Sequence, residues 1–207
     1  MKGNQICFED KMKLIKKIIL FVVVIGVFGV SFYAYMGGFR EVEVKETNFG
    51  TVEIFIYTHK GPYKNLNESW DQFQKEWESI GLTECNSLAI YLDGPETPED
   101  KLRSVLGCRM DGLSDVQIKS IKSKLKTFLI PEMKCITATF PFKNFLSYFI
   151  APTKVYPKFQ KTLSESSAKT SVAIEVYGGS SNFVDHIDFF MPIEVSREVF
   201  APLESLF

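Results

Sequence analysis

From Ile18 to Met36 the chain reads IILFVVVIGVFGVSFYAYM, without a charged residue. A helix rises about 1.5 Å per residue, so this run matches a hydrocarbon core about 30 Å thick. Gly26 and Gly29 are tolerated in such a helix, because lipid offers no water to compete for its backbone groups. Tyr33 and Tyr35 fall near one end, where an amphipathic ring suits the headgroup level. A core helix of this length would show a polar face. A cleaved leader would have a shorter apolar region and a small-x-small site, which Ser31-Phe-Tyr-Ala34 matches poorly. The pattern predicts a short basic segment (residues 1–17), then a transmembrane helix (18–36) acting as a signal-anchor, hence a single-pass membrane protein. Lys11, Lys13, Lys16 and Lys17 precede the run, while Arg40 and Lys45 follow it. The positive-inside rule then places the rest of the chain on the non-cytoplasmic side.

Beyond the run the periodicity changes. Residues 37–50 are polar and read as a stem. Val52, Ile54 and Ile56 alternate with Glu53, Phe55 and Tyr57, as in a half-buried strand. Gly61-Pro62-Tyr63 signals a turn. Leu66, Trp70, Phe73 and Trp77 share one helix face, and Gly81 is placed to end that helix. Strands are predicted over 87–93 and 102–110, separated by a loop from Gly94. A Lys-rich stretch, Val116 to Phe128, reads as helix, and residues 134–142 as a strand. Residues 152–167 predict a helix with Val155, Phe159 and Leu163 on one face, Pro152 in its first turn and Pro157 kinking it. Residues 171–177 and 184–193 are the last strands, joined by a hairpin turn at Gly178-Gly-Ser-Ser181. The order strand–helix–strand–strand thus occurs twice. It predicts an α+β domain over 51–195, a duplicated unit with an antiparallel sheet, helices on one face and a cleft between the repeats. Residues 196–207 form a C-terminal segment. Within it Phe200-Ala-Pro-Leu203 fits an aromatic-x-x-aliphatic docking pattern, although its Pro disfavours pairing as an added strand.

Composition narrows the function. With 207 residues, 45% hydrophobic and 24% charged, the chain is one folded domain plus its anchor. A net charge of −1 argues against a nucleic-acid surface. The 19 Phe suit a dense core or an aromatic-lined pocket. Cys7, Cys85, Cys108 and Cys135, with His59 and His186, lack zinc-ligand spacing, so neither metal nor cofactor is expected. Cys85 opens the second strand and Cys108 closes the third; they could bridge if those strands form a hairpin, or remain buried thiols. No G-x-S-x-G, phosphate loop or H-E-x-x-H is present. Glu175 lies mid-strand on the face of Ala173 and Tyr177. It is either solvent-facing, or buried with a raised pKa that suits a cationic ligand or acid–base work. Tyr63, Trp70, Tyr91, Tyr148 and Tyr177 are candidate aromatic walls, Trp70 and Trp77 being equally suited to core.

Several segments together resemble the GyrI-like small-molecule-binding domain family. These are His59-Lys-Gly-Pro-Tyr63 before the Trp70 helix, Thr97-Pro-Glu-Asp-Lys-Leu-Arg103, Ala173-Ile-Glu-Val-Tyr177 and Asp188-Phe-Phe-Met-Pro-Ile193. Phe140-Pro-Phe-Lys through Ser147-Tyr to Lys154-Val-Tyr-Pro157 is similar to the family's membrane-anchored branch. The resemblance implies two repeats with a ligand cleft between them, and a Glu in that cleft at position 175. Family members sense drugs within transcription regulators, inhibit gyrase, hydrolyse electrophilic small molecules or act as adaptors. The expected function is therefore a membrane-anchored protein that binds a small apolar or cationic molecule at Glu175 and the aromatic walls. The alternatives are a membrane-tethered adaptor with a protein partner, and a hydrolase in which Glu175 activates water. Enzymatic activity is the less expected of these outcomes.

Overall fold

A computed structural model describes residues 2–94, 96–165, 172–180 and 183–207. It comprises two compact units, Met1–Glu41 and Val42–Phe207. The first is a single helix, α1 (Lys2–Tyr35). Its stretch Met12–Tyr35 is long and apolar enough to cross a membrane, and its side chains are exposed throughout.

Among the described residues the second unit carries eight strands: β1 (Lys45–Phe49), β2 (Val52–Lys60), β3 (Ser87–Tyr91), β4 (Arg103–Arg109), β5 (Lys126–Ile130), β6 (Met133–Pro141), β7 (Ala173–Ser180) and β8 (Phe183–Pro192). Helix α2 (Leu66–Ser79) joins β2 to β3, α3 (Asp115–Lys124) joins β4 to β5, and α4 (Ser147–Glu165) joins β6 to β7. A 3₁₀ turn (Arg197–Phe200) and α5 (Ala201–Glu204) close the chain. The strands form one curled sheet in the order β1-β6-β8-β7-β3-β4-β2-β5, with antiparallel neighbours throughout. Two strand–helix–strand–strand units are therefore present, β2-α2-β3-β4 and β6-α4-β7-β8. They meet at a seam where Leu88 faces Val176, Ala89 faces Glu175, Ile90 faces Ile174 and Tyr91 faces Ala173.

The lead-in strand of each unit pairs with the other unit: β1 on β6, and β5 on β2. Both are edge strands that keep one side in water, so neither alternates cleanly. This explains two departures from the sequence reading. The polar segment read as a stem contains β1. The Lys-rich helix stops at Lys124, opened by a Ser114–Gln117 capping box, and the chain then turns into β5.

Alternation along the inner strands separates two faces. One gathers Ile54, Ile56, Leu88, Ile90 and Ile174, and the C-terminal Phe200 and Leu203 pack into it. The aromatic-x-x-aliphatic pattern is thus core, and residues 196–207 are part of the folded unit. The other face carries the long helices. Phe73 and Trp77 of α2 and Ile121 of α3 pack on Phe55 and Leu106. Ala151, Val155 and Phe159 of α4 pack on Ile136, Phe140 and Phe189. Helix α4 begins at Ser147, a turn earlier than its prolines signal, and continues through Pro152 and Pro157. Its buried stripe outweighs the two lost backbone bonds, because packing rather than propensity supplies most helix stability. Gly81 ends α2 at φ +85°, a conformation open to glycine. Gly178, Gly179 and Ser180 extend β7 through a bulge instead of turning; Ser181 lies outside the described residues.

Two devices pin the connections. Cys85 and Cys108 are joined by a disulfide with Cα atoms 5.2 Å apart, tying the start of β3 to the end of β4. Cys135 remains a buried thiol. Asp93, its side chain 8% exposed, accepts from Arg103 Nη2 at 2.7 Å and Nε at 2.9 Å. Arg197 Nη2 lies 2.7 Å from Glu204 and 3.4 Å from Asp93, and donates to the Leu92 carbonyl at 3.2 Å. The two guanidinium groups hold the Asp93 carboxyl below its usual range, Arg103 contributing most. Removing Asp93 strands Arg103 and frees the C-terminal turn. Asp93→Ala is expected to cost about 2–3 kcal/mol of unfolding free energy, read as a lower urea midpoint at unchanged slope.

Candidate functional site

The seam between the repeats places a carboxylate where a sheet interior would ordinarily be apolar. Glu175 of β7 points to the helix-bearing face, opposite the small Ala89 on β3 and beside the buried Phe189 on β8. It is 5% exposed. Three tyrosine hydroxyls donate to it: Tyr156 to Oε1 at 2.8 Å, Tyr177 to Oε2 at 3.2 Å and Tyr91 to Oε2 at 3.3 Å. The Tyr91 and Tyr177 hydroxyls are 3.4 Å from each other. Burial raises the Glu175 pKa to about 6, against the lowering effect of the three hydroxyls. The tyrosines respond in kind. Burial first, then charge repulsion within the cluster, pushes Tyr91, Tyr156 and Tyr177 well above the usual phenol range.

The walls come from both repeats. His59 is the last residue but one of β2, with Nδ1 2.8 Å from Ser69 Oγ and Nε2 3.3 Å from the Pro62 carbonyl. These bonds fix the Gly61-Pro62 turn against α2 and so set Tyr63 and Trp70. Tyr63 stacks edge-on against Tyr91 at 5.0 Å and donates to the Asp93 carbonyl at 3.1 Å. Its pKa is raised to about 12, chiefly by burial. Trp70 lies 6.1 Å from Tyr177 and 6.0 Å from Phe73, so it is shared between wall and core, whereas Trp77 is core. Tyr148 of α4 stands edge-on to Tyr177 at 5.5 Å and remains 42% exposed. Glu175, Tyr63, Trp70, Tyr91, Tyr148 and Tyr177 are thus one continuous cluster.

Tyr156 is the member that sequence reasoning missed, although it makes the shortest hydrogen bond to Glu175. Its signal was its spacing: eight residues from Tyr148, close to two helical turns, legible once α4 starts at Ser147. The cluster has a distinctive electrostatic form. Among the described residues, the hydrogen-bond partners of Glu175 are hydroxyl dipoles, with no Lys, Arg or His bonded to it. Above its pKa the site therefore holds an anion solvated by phenols and walled by rings. No group of three or more His, Cys, Asp or Glu among the described residues could hold a metal ion.

Comparison with known proteins agrees with this architecture. The GyrI-like small molecule binding domain model matches residues 40–169, well over half of the chain; Glu175 lies shortly beyond the match. Human testis-expressed protein 264 is 28% identical over 182 residues, covering 83% of this chain and 55% of that protein. The chain thus spans about half the length of this relative. Among solved structures, the EcmrR C-terminal domain superposes with a TM-score of 0.53 at 10% identity, over 75% of this chain and 99% of that one. The cryo-EM structure of an EcmrR–DNA complex gives 0.54 at 9% identity, over 90% of this chain and 70% of that one. At such identities the likeness establishes the fold alone.

The raised pKa has a thermodynamic consequence. As pH falls through about 6, folded Glu175 takes up a proton before the unfolded carboxyl does at 4.5. The folded state therefore gains stability on acidification, by about 2 kcal/mol once pH is below the unfolded value. Denaturation of the wild type and Glu175→Gln across pH 4–7 should isolate this slope, which the Gln variant loses.

Proposed function

The chain belongs to the GyrI-like small-molecule-binding family, and on that premise we propose that it binds a small aromatic cation or apolar molecule over Glu175, between its two repeats. The observation that carries this reading is the buried carboxylate whose hydrogen-bond partners are three tyrosines. An unpaired buried anion is costly, and an arriving cation relieves that cost where a neutral side chain would not. The surrounding rings supply flat contact area and cation–π attraction, roughly 0.5–2 kcal/mol per ring. The same arrangement handles a neutral apolar ligand when Glu175 is protonated.

The apolar helix serves in this reading as a membrane anchor through residues 18–36. The domain then lies on the non-cytoplasmic side, which the lysines preceding the run support. The Cys85–Cys108 bridge is a second support, because disulfides persist in oxidising compartments.

Four measurements test these statements. Quenching of Trp70 fluorescence should report binding of aromatic quaternary ammonium compounds and of their neutral carbon isosteres. Glu175→Gln is expected to weaken the cations by roughly tenfold or more, about 1.4 kcal/mol, and to leave the isosteres nearly unchanged. Trp70→Ala, followed by calorimetry, should weaken both. Unchanged cation affinity in both variants would remove the site assignment, and product formation that depends on Glu175 would turn the reading towards a hydrolase. For orientation, maleimide–polyethylene glycol added to denatured, unreduced protein from cells should label Cys7 and Cys135 but spare Cys85 and Cys108. Protease added to isolated organelles should spare the domain until the membrane is opened, and protease added to intact cells should cut it if the anchor lies in the cell-surface membrane; cutting on sealed organelles reverses the orientation.

A further inference from the structure

The second unit exposes few large apolar side chains, and they are unevenly placed. Val116 and Leu129 stand apart on α3 and β5, whereas Phe145, Tyr148 and Phe149 crowd the entry to α4 at 66%, 42% and 61% exposure. A flexible loop could fold such rings inward, but this turn is pinned. The Lys143 amide donates to Ser147 Oγ at 2.9 Å, and Asn144 Oδ1 accepts from the Leu146 amide at 2.9 Å. Backbone bonds from Tyr148 to Phe145 and from Phe149 to Leu146 tighten it further. The backbone of the turn is thus fixed, with the Phe145 and Phe149 rings exposed and Tyr148 half-exposed against Phe142 and Tyr177. Positions 145, 148 and 149 also share one face, the i, i+3, i+4 spacing of a helix entry.

Charge identifies the occupant. Between Phe142 and Ser164 the chain carries Lys143, Lys154, Lys158 and Lys161 and no acidic residue. Lys143 stands two residues before Phe145 and the other three follow along α4, while Asp185 of β8 meets the Phe142 amide through its carbonyl; aromatic rings on a lysine-bearing helix suit the boundary between lipid headgroups and acyl chains, where rings bury and ammonium groups meet phosphate. On the reading of α1 as an anchor, the second unit also stays close to a bilayer. Residues 36–44 separate the apolar helix from β1; nine residues reach at most about 30 Å, and a hydrogen-bonded turn at 37–40 and the buried Val42 shorten this. Anchored by that helix, the domain is confined to a thin layer over the membrane, where even a weak lipid contact is highly populated.

We propose that the Phe145–Phe149 turn is a membrane foot, whose rings enter the headgroup region of the bilayer that anchors the chain. This rests on reading α1 as an anchor. It also deepens the binding proposal. Tyr148 belongs both to the foot and to the wall around Glu175, standing 4.9 Å from Phe142 and 5.5 Å from Tyr177. The ligand class it favours is an amphiphile that partitions into lipid, with its charged or polar group near the headgroups.

The test uses the full chain, reconstituted in phosphatidylcholine vesicles with and without phosphatidylserine. A nitroxide is placed at Phe149→Cys, or at Val116→Cys as control, in a Cys7→Ser background. The foot predicts that the label at 149 is accessible to oxygen and shielded from a water-soluble nickel chelate, more so with phosphatidylserine, while the label at 116 shows the reverse. A label at 149 as open to nickel as the one at 116, on protein that stays with the vesicles after alkaline washing, overturns the foot and leaves the anchor standing. Protein released by that wash removes the anchor and the foot together. Dipolar broadening at 149 assigns the surface to a second copy of the chain and overturns the lipid assignment.

Discussion

The pairing of β3 with β7 is the constraint on which the second unit turns. It is the seam that joins the first strands of the two repeats' returning hairpins, through four facing pairs. A seam in the middle of a sheet must be packed on both faces. One face meets this with Leu88, Ile90 and Ile174 against the C-terminal turn. The helix face cannot be filled the same way, because α2 and α4 each pack on their own repeat, α2 on the Phe55 side and α4 on the Phe140 side. The space above the seam falls to long side chains from the strands and helix edges. The repeats differ there in one telling respect. Ala89-Ile90-Tyr91 on β3 corresponds in pattern to Ala173-Ile174-Glu175 on β7, so one copy contributes a phenol where the other contributes a carboxylate. The duplication makes the gap, and the departure from symmetry charges it.

That arrangement is destabilising by itself. A buried carboxylate with dipolar partners is worse for the fold than an apolar residue of the same size, which is why its pKa lies near 6. Stability is supplied by elements that touch neither Glu175 oxygen. The disulfide closes the approach to β3, and Asp93 with Arg103, Arg197 and Glu204 binds the C-terminal turn to the strand ends. Tyr63 links the two regions, since it stacks on Tyr91 and donates to the Asp93 carbonyl. Rigid surroundings keep the three hydroxyls aimed at one carboxylate.

How much of this could be read from residues follows from where each residue sits. Inner strands were legible because both neighbours are protein and the buried set alternates, as in Val52, Ile54 and Ile56. The face of α2 was legible for the same reason. Edge strands were not: β1 is KETNF and β5 is KTFLI, and half of each meets water. Helix α4 was placed late because Pro152 and Pro157 are local stop signals, overridden by Val155 and Phe159 packing on the sheet. Losing its first turn also hid the relation of Tyr156 to Tyr148. Glu175 was singled out from its position between Ile174 and Val176, yet pattern alone left its exposure open. Its burial depends on Ala89 and Phe189, which lie 86 and 14 residues away in the chain and are joined to it only by strand register.

The sheet edges bear on which kind of partner suits this fold. A domain that docks proteins by adding a strand needs an open, regular edge. The outermost strands are β1 and β5. β1 carries Lys45 and Glu46, and Lys134 on the adjacent β6 forms ion pairs with Glu46 at 3.1 Å and Glu194 at 3.0 Å. β5 opens on Lys126. Charges along an edge discourage a further strand. In the aromatic-x-x-aliphatic segment at the C-terminus, Phe200 and Leu203 are both buried, so the pair is not open to docking in the folded chain. What the fold presents instead is concentrated on one side of one helix: Tyr148 and Tyr156 of α4, the first half-exposed among Phe145 and Phe149, the second bonded to Glu175. A single helix thus carries both an exposed aromatic surface at its start and, two turns on, a phenol bonded to a buried charge, so the two features are fixed relative to each other by one rigid element.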